Sequence, residues 1–283
     1  MINFDGTCYH KLSNVPHKLF NYFWKLPIHT HHFIAFNRKL IQLEANYFSI
    51  MAALRRSRVI IPMKYTLEYF QDQAELIIDD NKATKYSLIL IQFYRNNIPT
   101  KQVPISECSF YMQNLKVDWK NEAISLTLYK DHSVLAGVYS NLFQTNEPLR
   151  KLAEVFAFEN DFEASLLINN EKKIVESTRG AVFLIYDNKI YTPPLSSGVV
   201  NSVSRELLID FISKNNSYEI IEEEIPVFNL QRAEEIFLFS FQHGLTKIIK
   251  FRKKVFGFEK SKTIEGLFSD HLGINFEMGF QEY

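Results

Sequence analysis

Glu176 is the residue around which chemistry can be built in this 283-residue chain. It ends an apolar run, Lys173–Ser177, and faces a stretch that leads into the helix start Ser202-Val203-Ser204. A carboxylate so placed can hold a protonated nitrogen, and the N–H groups of a helix's first turn can hold an anion. Arg205 and His243 are further groups that a cofactor-free pocket would use with Glu176, although nothing in their spacing specifies a reaction. His29, His31 and His32 invite a metal reading. No Cys or carboxylate stands beside them at ligand spacing, so no metal site is expected there.

The elements that must position these residues follow from pattern. Ala164–Ile168 is a short apolar strand closed by Asn169-Asn170, and Lys173–Ser177 and Gly180–Tyr186 are two more strands. Asp187-Asn188 turns the chain into Ile190-Tyr191-Thr192, where Pro193-Pro194 ends pairing. Val203–Ile212 carries apolar residues at helical spacing, and Glu147–Glu159 is a helix with Pro148 in its first turn and Leu149, Leu152, Val155 and Phe156 as its apolar positions. Upstream, Ile2–Gly6 is a strand and turn, and Leu43–Arg58 an amphipathic helix with Leu43, Tyr47, Ile50, Met51 and Leu54 on one stripe. Thr66 caps a second helix running to about Asp80, and Tyr86–Tyr94, Cys108–Leu115 and Ala123–Tyr129 are strands. Downstream, the pattern gives strands at Tyr218–Ile225 and Ile236–Phe241, a helical turn at Asn229–Ala233, a closing pair at Thr246–Phe251 and Val255–Phe258, and a C-terminal helix over Thr263–Phe280.

This order, with these residues, resembles the class IV pyridoxal-phosphate enzymes: the branched-chain and D-amino-acid aminotransferases and the aminodeoxychorismate lyases. The resemblance rests on Leu166-Leu167-Ile168-Asn169, Val175-Glu176-Ser177-Thr178, Val182-Phe183-Leu184-Ile185, Tyr191-Thr192-Pro193-Pro194-Leu195 and Gly198…Val203-Ser204-Arg205. It implies an α+β, two-domain fold of fold type IV, like that of D-amino-acid aminotransferase. A smaller α+β domain is expected over residues 1–120, and a larger β-barrel-like domain with flanking helices over 121–283. It also implies pyridoxal phosphate as cofactor and a homodimer.

Such an enzyme needs an amine to condense with the cofactor's aldehyde, an acid beside the pyridine nitrogen, and an anion site. The resemblance places Glu176 beside the ring nitrogen and the backbone of Ser202, Val203 and Ser204 at a vestigial phosphate site. It places Phe143, or Gln144 with a one-residue slip, where the family has its lysine. Neither carries an amine. Lys151 lies eight residues beyond Phe143, about 12 Å along a helix, and Lys130 precedes the site on a separate strand. Asn46 and Ser49 stand at the family's first-helix histidine and arginine, Ser202 at its glycine and Ala181 at its asparagine, and the small-hydroxyl contact falls near Phe241-Gln242. Loss of the arginine removes a charge-assisted phosphate contact.

The remaining composition sets limits. Basic and acidic residues balance, 32 against 32, so no electrostatic footprint for nucleic acid or an anionic membrane is present. Cys8 and Cys108 stand far apart without metal spacing, and no signal peptide or membrane-length apolar run is seen, which points to the cytoplasm. The expectation is therefore a catalytically degenerate class IV homologue, with pyridoxal phosphate binding weak or lost, acting as a binding or partner protein and open to a small-molecule ligand. The alternative is an active aminotransferase or 4-amino-4-deoxychorismate lyase that uses a displaced lysine.

Overall fold

The structure is a computed structural model that describes residues 1–16, 26–78, 86–97, 100–102, 105–115, 119, 122–215 and 218–274. The chain divides into two compact units, Met1–Val117 and Asp118–Tyr283. The domain boundary expected at 120 and 121 lies outside the described residues.

In the first unit, β1 (Ile2–Phe4), β2 (Thr7–Tyr9), β3 (His29–Phe36), β4 (Lys39–Leu40), β5 (Tyr86–Arg95) and β6 (Cys108–Leu115) form an antiparallel sheet in the order β2-β1-β6-β5-β3-β4. Its helices are α1 (Leu43–Arg56) and α2 (Leu67–Ile77). The α1 stripe buries Ile50, Met51 and Leu54 in one cluster with Phe33, Ile91 and Phe93 of the sheet. Thr66 caps α2, its hydroxyl accepting from the Tyr69 N–H at 3.2 Å, and the helix ends at Ile77; Asp80 lies outside the described residues.

The second unit contains β7 (Ile124–Leu128), α3 (Glu147–Glu159), β8 (Ala164–Ile168), β9 (Lys173–Ser177), β10 (Ala181–Tyr186), β11 (Lys189–Thr192), α4 (Val203–Lys214), β12 (Glu219–Glu222), β13 (Ile225–Pro226), β14 (Glu235–Ser240), β15 (Gly244–Phe251), β16 (Lys254–Val255) and α5 (Glu259–Leu272). Its ten-stranded sheet runs β12-β11-β10-β14-β15-β7-β8-β9-β13, with β16 paired to β15. β9 and β10 stand far apart in that order yet follow one another in the chain and are bridged at Ser177–Gly180, so the sheet curls back on itself. Leu166, Ile174, Leu184, Ile236 and Ile248 fill one side of it; Leu167, Val175 and Val199 pack on the other side with Ala153 of α3.

Several boundaries differ from the sequence reading. The run expected as one strand over Tyr218–Ile225 is two, because β12 pairs with β11 and β13 crosses to β9. The C-terminal helix starts earlier, at Glu259: the Glu235 carboxylate accepts from the N–H groups of Lys260 at 2.9 Å and Ser261 at 2.8 Å and fixes its first turn. It ends at Leu272 before Gly273, whose φ of 64° closes it. Phe280 lies outside the described residues. The α3 stripe is also rotated: Leu149 and Phe156 pack on the core, but Leu152 and Val155 are exposed, and the buried positions are Arg150, Ala153 and Ala157. Among the described residues no helix is long and apolar enough to cross a membrane.

Candidate ligand site around Glu176

The aim of Glu176 depends on one irregularity. Along a regular strand Ile174 and Glu176 share a face. Here Ile168 pairs with Ile174, yet Leu167 pairs with Glu176, so Val175 is an extra residue in β9. This bulge moves Glu176 onto the Leu167 face, toward α3, instead of into the apolar cluster that holds Ile174.

What meets it there is Arg150. Its Nη1 donates to Glu176 Oε1 at 2.7 Å, with the two side chains only 9% and 6% exposed. Its Nη2 donates to the backbone carbonyl of Phe143, and its guanidinium carbon lies 4.2 Å from the centre of the Phe143 ring. The other carboxylate oxygen, Oε2, accepts from the Val200 N–H at 3.3 Å. Helical spacing explains how one helix supplies this contact: Arg150 lies three and seven residues before the buried Ala153 and Ala157, small side chains that let the helix lie close to β8. The stack with Phe143 places a cation against an aromatic face, an arrangement that strengthens as water is excluded.

The loop supplying Val200 is pinned by amides. The Asn141 side chain donates to the carbonyls of Leu195 at 2.9 Å and Val199 at 2.7 Å, and the Asn169 side chain donates to that of Ser197 at 3.2 Å. Gly198, at φ 98°, lets the loop lie close: a Cβ there would stand 2.9 Å from Val134 Cγ1 and 3.2 Å from Ala136 Cα. The loop leads into α4, where the Ser202 hydroxyl caps the helix, accepting from the Arg205 N–H at 3.2 Å, and lies 3.1 Å from the Ser204 hydroxyl. By helix geometry the N–H groups of Val203 and Ser204 have no acceptor within α4, so this end keeps an anion-favouring character.

The other sequence-chosen residues fall as follows. Phe143 and Gln144 open the 3-10 turn Phe143–Asn146, and the Gln144 amide donates to the Glu147 carboxylate. Arg205 is buried and is spent on structure, donating to the Pro193 carbonyl at 2.7 Å and to Glu222 at 2.6 Å. His243 lies in the turn from β14 to β15, its N–H donating to Ser240 Oγ at 3.2 Å. His29 and His31 share a face of β3; His31 Nε2 lies 2.7 Å from Asn46 Oδ1. Both lysines considered as replacement amines are exposed, Lys151 beside Glu154 at 3.6 Å and Lys130 at the end of the β7 segment. Arg150 was missed by sequence reasoning. Its signal was an arginine on the stripe of the two alanines in a helix whose larger apolar residues lie elsewhere.

Residues 38–251 match the family described as amino-transferase class IV. Among curated relatives, one from Methanocaldococcus jannaschii named as a branched-chain-amino-acid aminotransferase is 24% identical over 127 residues, 45% of this chain and 38% of the relative. The matched stretch is thus well under half of that relative's length. Among solved structures, the branched-chain amino acid aminotransferase of Thermobaculum terrenum in its PLP form superposes with a TM-score of 0.83 at 15% identity, covering 96% of this chain and 93% of the other. A Legionella pneumophila structure named as a 4-amino-4-deoxychorismate lyase gives 0.76 at 15%, covering 88% and 92%. The architecture is therefore that of fold-type IV pyridoxal-phosphate enzymes, and this chain belongs to the class IV aminotransferase family.

Proposed function

We propose that this chain is a catalytically degenerate class IV homologue, without the amine its relatives' cofactor chemistry needs, that acts as a binding or partner protein and does so as a homodimer. The observation carrying this reading is Phe143. The resemblance gives the lysine's position to Phe143 or, with a one-residue slip, to Gln144, neither with an amine; the Phe143 ring turns to the Arg150 guanidinium, while Lys130 and Lys151 lie in solvent. The residues present do not fit pyridoxal phosphate as its enzymes hold it, and binding is weak or lost. A partner role is supported by the outer face of α3, where Leu152, Val155 and Phe158 are exposed.

The test is incubation of the purified protein with pyridoxal phosphate, followed by its visible absorbance, borohydride reduction and intact mass, with light scattering for the oligomeric state. No stable adduct on a folded dimer is the expected result. An adduct mapped to one lysine would overturn the proposal and identify an active aminotransferase or lyase with a displaced amine.

A further inference from the structure

Resting on the degenerate reading, we infer that Arg150 is the site's own built-in occupant, a tethered planar cation on the carboxylate where a bound cationic ring would otherwise sit. Three observations carry this. First, both Glu176 oxygens already have donors from the chain, Arg150 Nη1 at 2.7 Å and the Val200 N–H at 3.3 Å. Second, the guanidinium is flat and cationic and lies against an aromatic face, that of Phe143, at 4.2 Å. Third, the adjoining cluster of Leu167, Val175, Val199 and Ala153 is apolar, so the β9 bulge turns the carboxylate toward a poor solvent for charge, where a paired cation offsets the cost of its burial. A guanidinium offers an in-plane N–H donor and a flat, π-like face, features it shares with a protonated heteroaromatic ring.

The same geometry assigns a latent ligand class. With the Arg150 side chain cut back, Glu176 Oε1 and the Phe143 ring lose their shared cation, and the ligand they would take in its place is a small flat cation: a guanidinium, an imidazolium or a pyridinium. In the intact chain Arg150 holds both contacts.

The experiment compares wild type, Arg150→Ala and Arg150→Ala/Glu176→Gln, measuring binding of methylguanidinium and of pyridoxamine phosphate by calorimetry and thermal shift. Arg150→Ala is expected to bind methylguanidinium at least about tenfold more tightly than wild type, and the gain should vanish in the double variant. Equal binding by wild type and Arg150→Ala, or a gain that survives Glu176→Gln, overturns the inference. If Arg150→Ala does not fold alone, it is refolded with and without methylguanidinium, with tetramethylammonium as a bulky non-planar control. Recovery specific to methylguanidinium supports the inference, and no recovery, or equal recovery with the control, overturns it. A borohydride-trapped adduct on wild type would sink the degenerate reading; a failed gain in Arg150→Ala sinks only the occupant.

Discussion

Arg150→Met takes from Glu176 a donor at 2.7 Å and breaks the contacts with the Phe143 carbonyl and ring. The carboxylate, 6% exposed, keeps the Val200 N–H at 3.3 Å. Removing one member of a buried ion pair costs about 3–5 kcal/mol, because the other charge is left in a poor solvent. With a urea slope of about 2 kcal/mol per molar, the unfolding midpoint of the second unit falls by roughly 2 M. Arg150→Met/Glu176→Gln removes both charges at similar volume and is expected within about 1 kcal/mol of wild type. The assay is urea unfolding followed by tryptophan emission. The chain has two tryptophans, Trp24 and Trp119, so Trp24→Phe leaves Trp119 as the reporter. Trp119 is buried in the second unit, with its indole N–H on the Phe241 carbonyl at 2.9 Å. The cycle should show coupling above about 2 kcal/mol. Additive single costs, with a double variant as unstable as their sum, would refute the claim that the two side chains neutralise one another.

Burial, with a smaller effect of neighbouring His31 and His32, holds His29 neutral well below the usual histidine range, and burial, opposed by the Asn46 hydrogen bond, brings His31 to about 4. Both bind protons more readily when unfolded, so stability is full above about pH 6.5 and is lost as pH falls toward 4, by up to about 1.4 kcal/mol per pH unit for each histidine. His29→Phe should flatten the acid side of a melting-temperature profile of the first unit, and an unchanged profile would count against this. Gly198→Ala, at φ 98° and with its Cβ 2.9 Å from Val134, should destabilise the second unit by roughly 2–4 kcal/mol in the same urea assay. Thiol titration of the native protein should label Cys8, which is exposed, and spare Cys108, which is buried with its thiol pushed up to about 12; both should react in denaturant. Phe143→Lys alone should yield no borohydride-stable pyridoxal adduct while Arg150 remains paired.

Much of the scaffold could be read from pattern alone. Cys108–Leu115, Glu147–Glu159, Ala164–Ile168 and Lys173–Ser177 stand where periodicity and turn residues put them. Those signals are local: β-branched runs, a proline in a first turn, paired asparagines. The site was legible only in part, because its decisive features are not local. Strict alternation would send Glu176 to the side of Ile174, and the bulge that reverses it is set by pairing with β8. Arg150 carries no signal in a reading that follows the larger apolar residues of its helix, Leu149, Leu152, Val155 and Phe156, of which Leu152 and Val155 are exposed. The helix is rolled the other way, because Ala153 and Ala157 allow the closer approach. An apolar count finds large side chains and overlooks the contact made by small ones.

The bulge in β9 and the roll of α3 together fasten a counter-ion to the chain itself. A carboxylate that waits for a diffusible partner gains stability only with the logarithm of that partner's concentration. Glu176 instead sees a guanidinium whose effective concentration is set by one helix and the loop before it, on the order of millimolar or higher at any dilution. A diffusible cation at micromolar levels would meet that carboxylate only in competition with the tethered guanidinium. The pair thus forms with the fold itself, at a strength that dilution does not change.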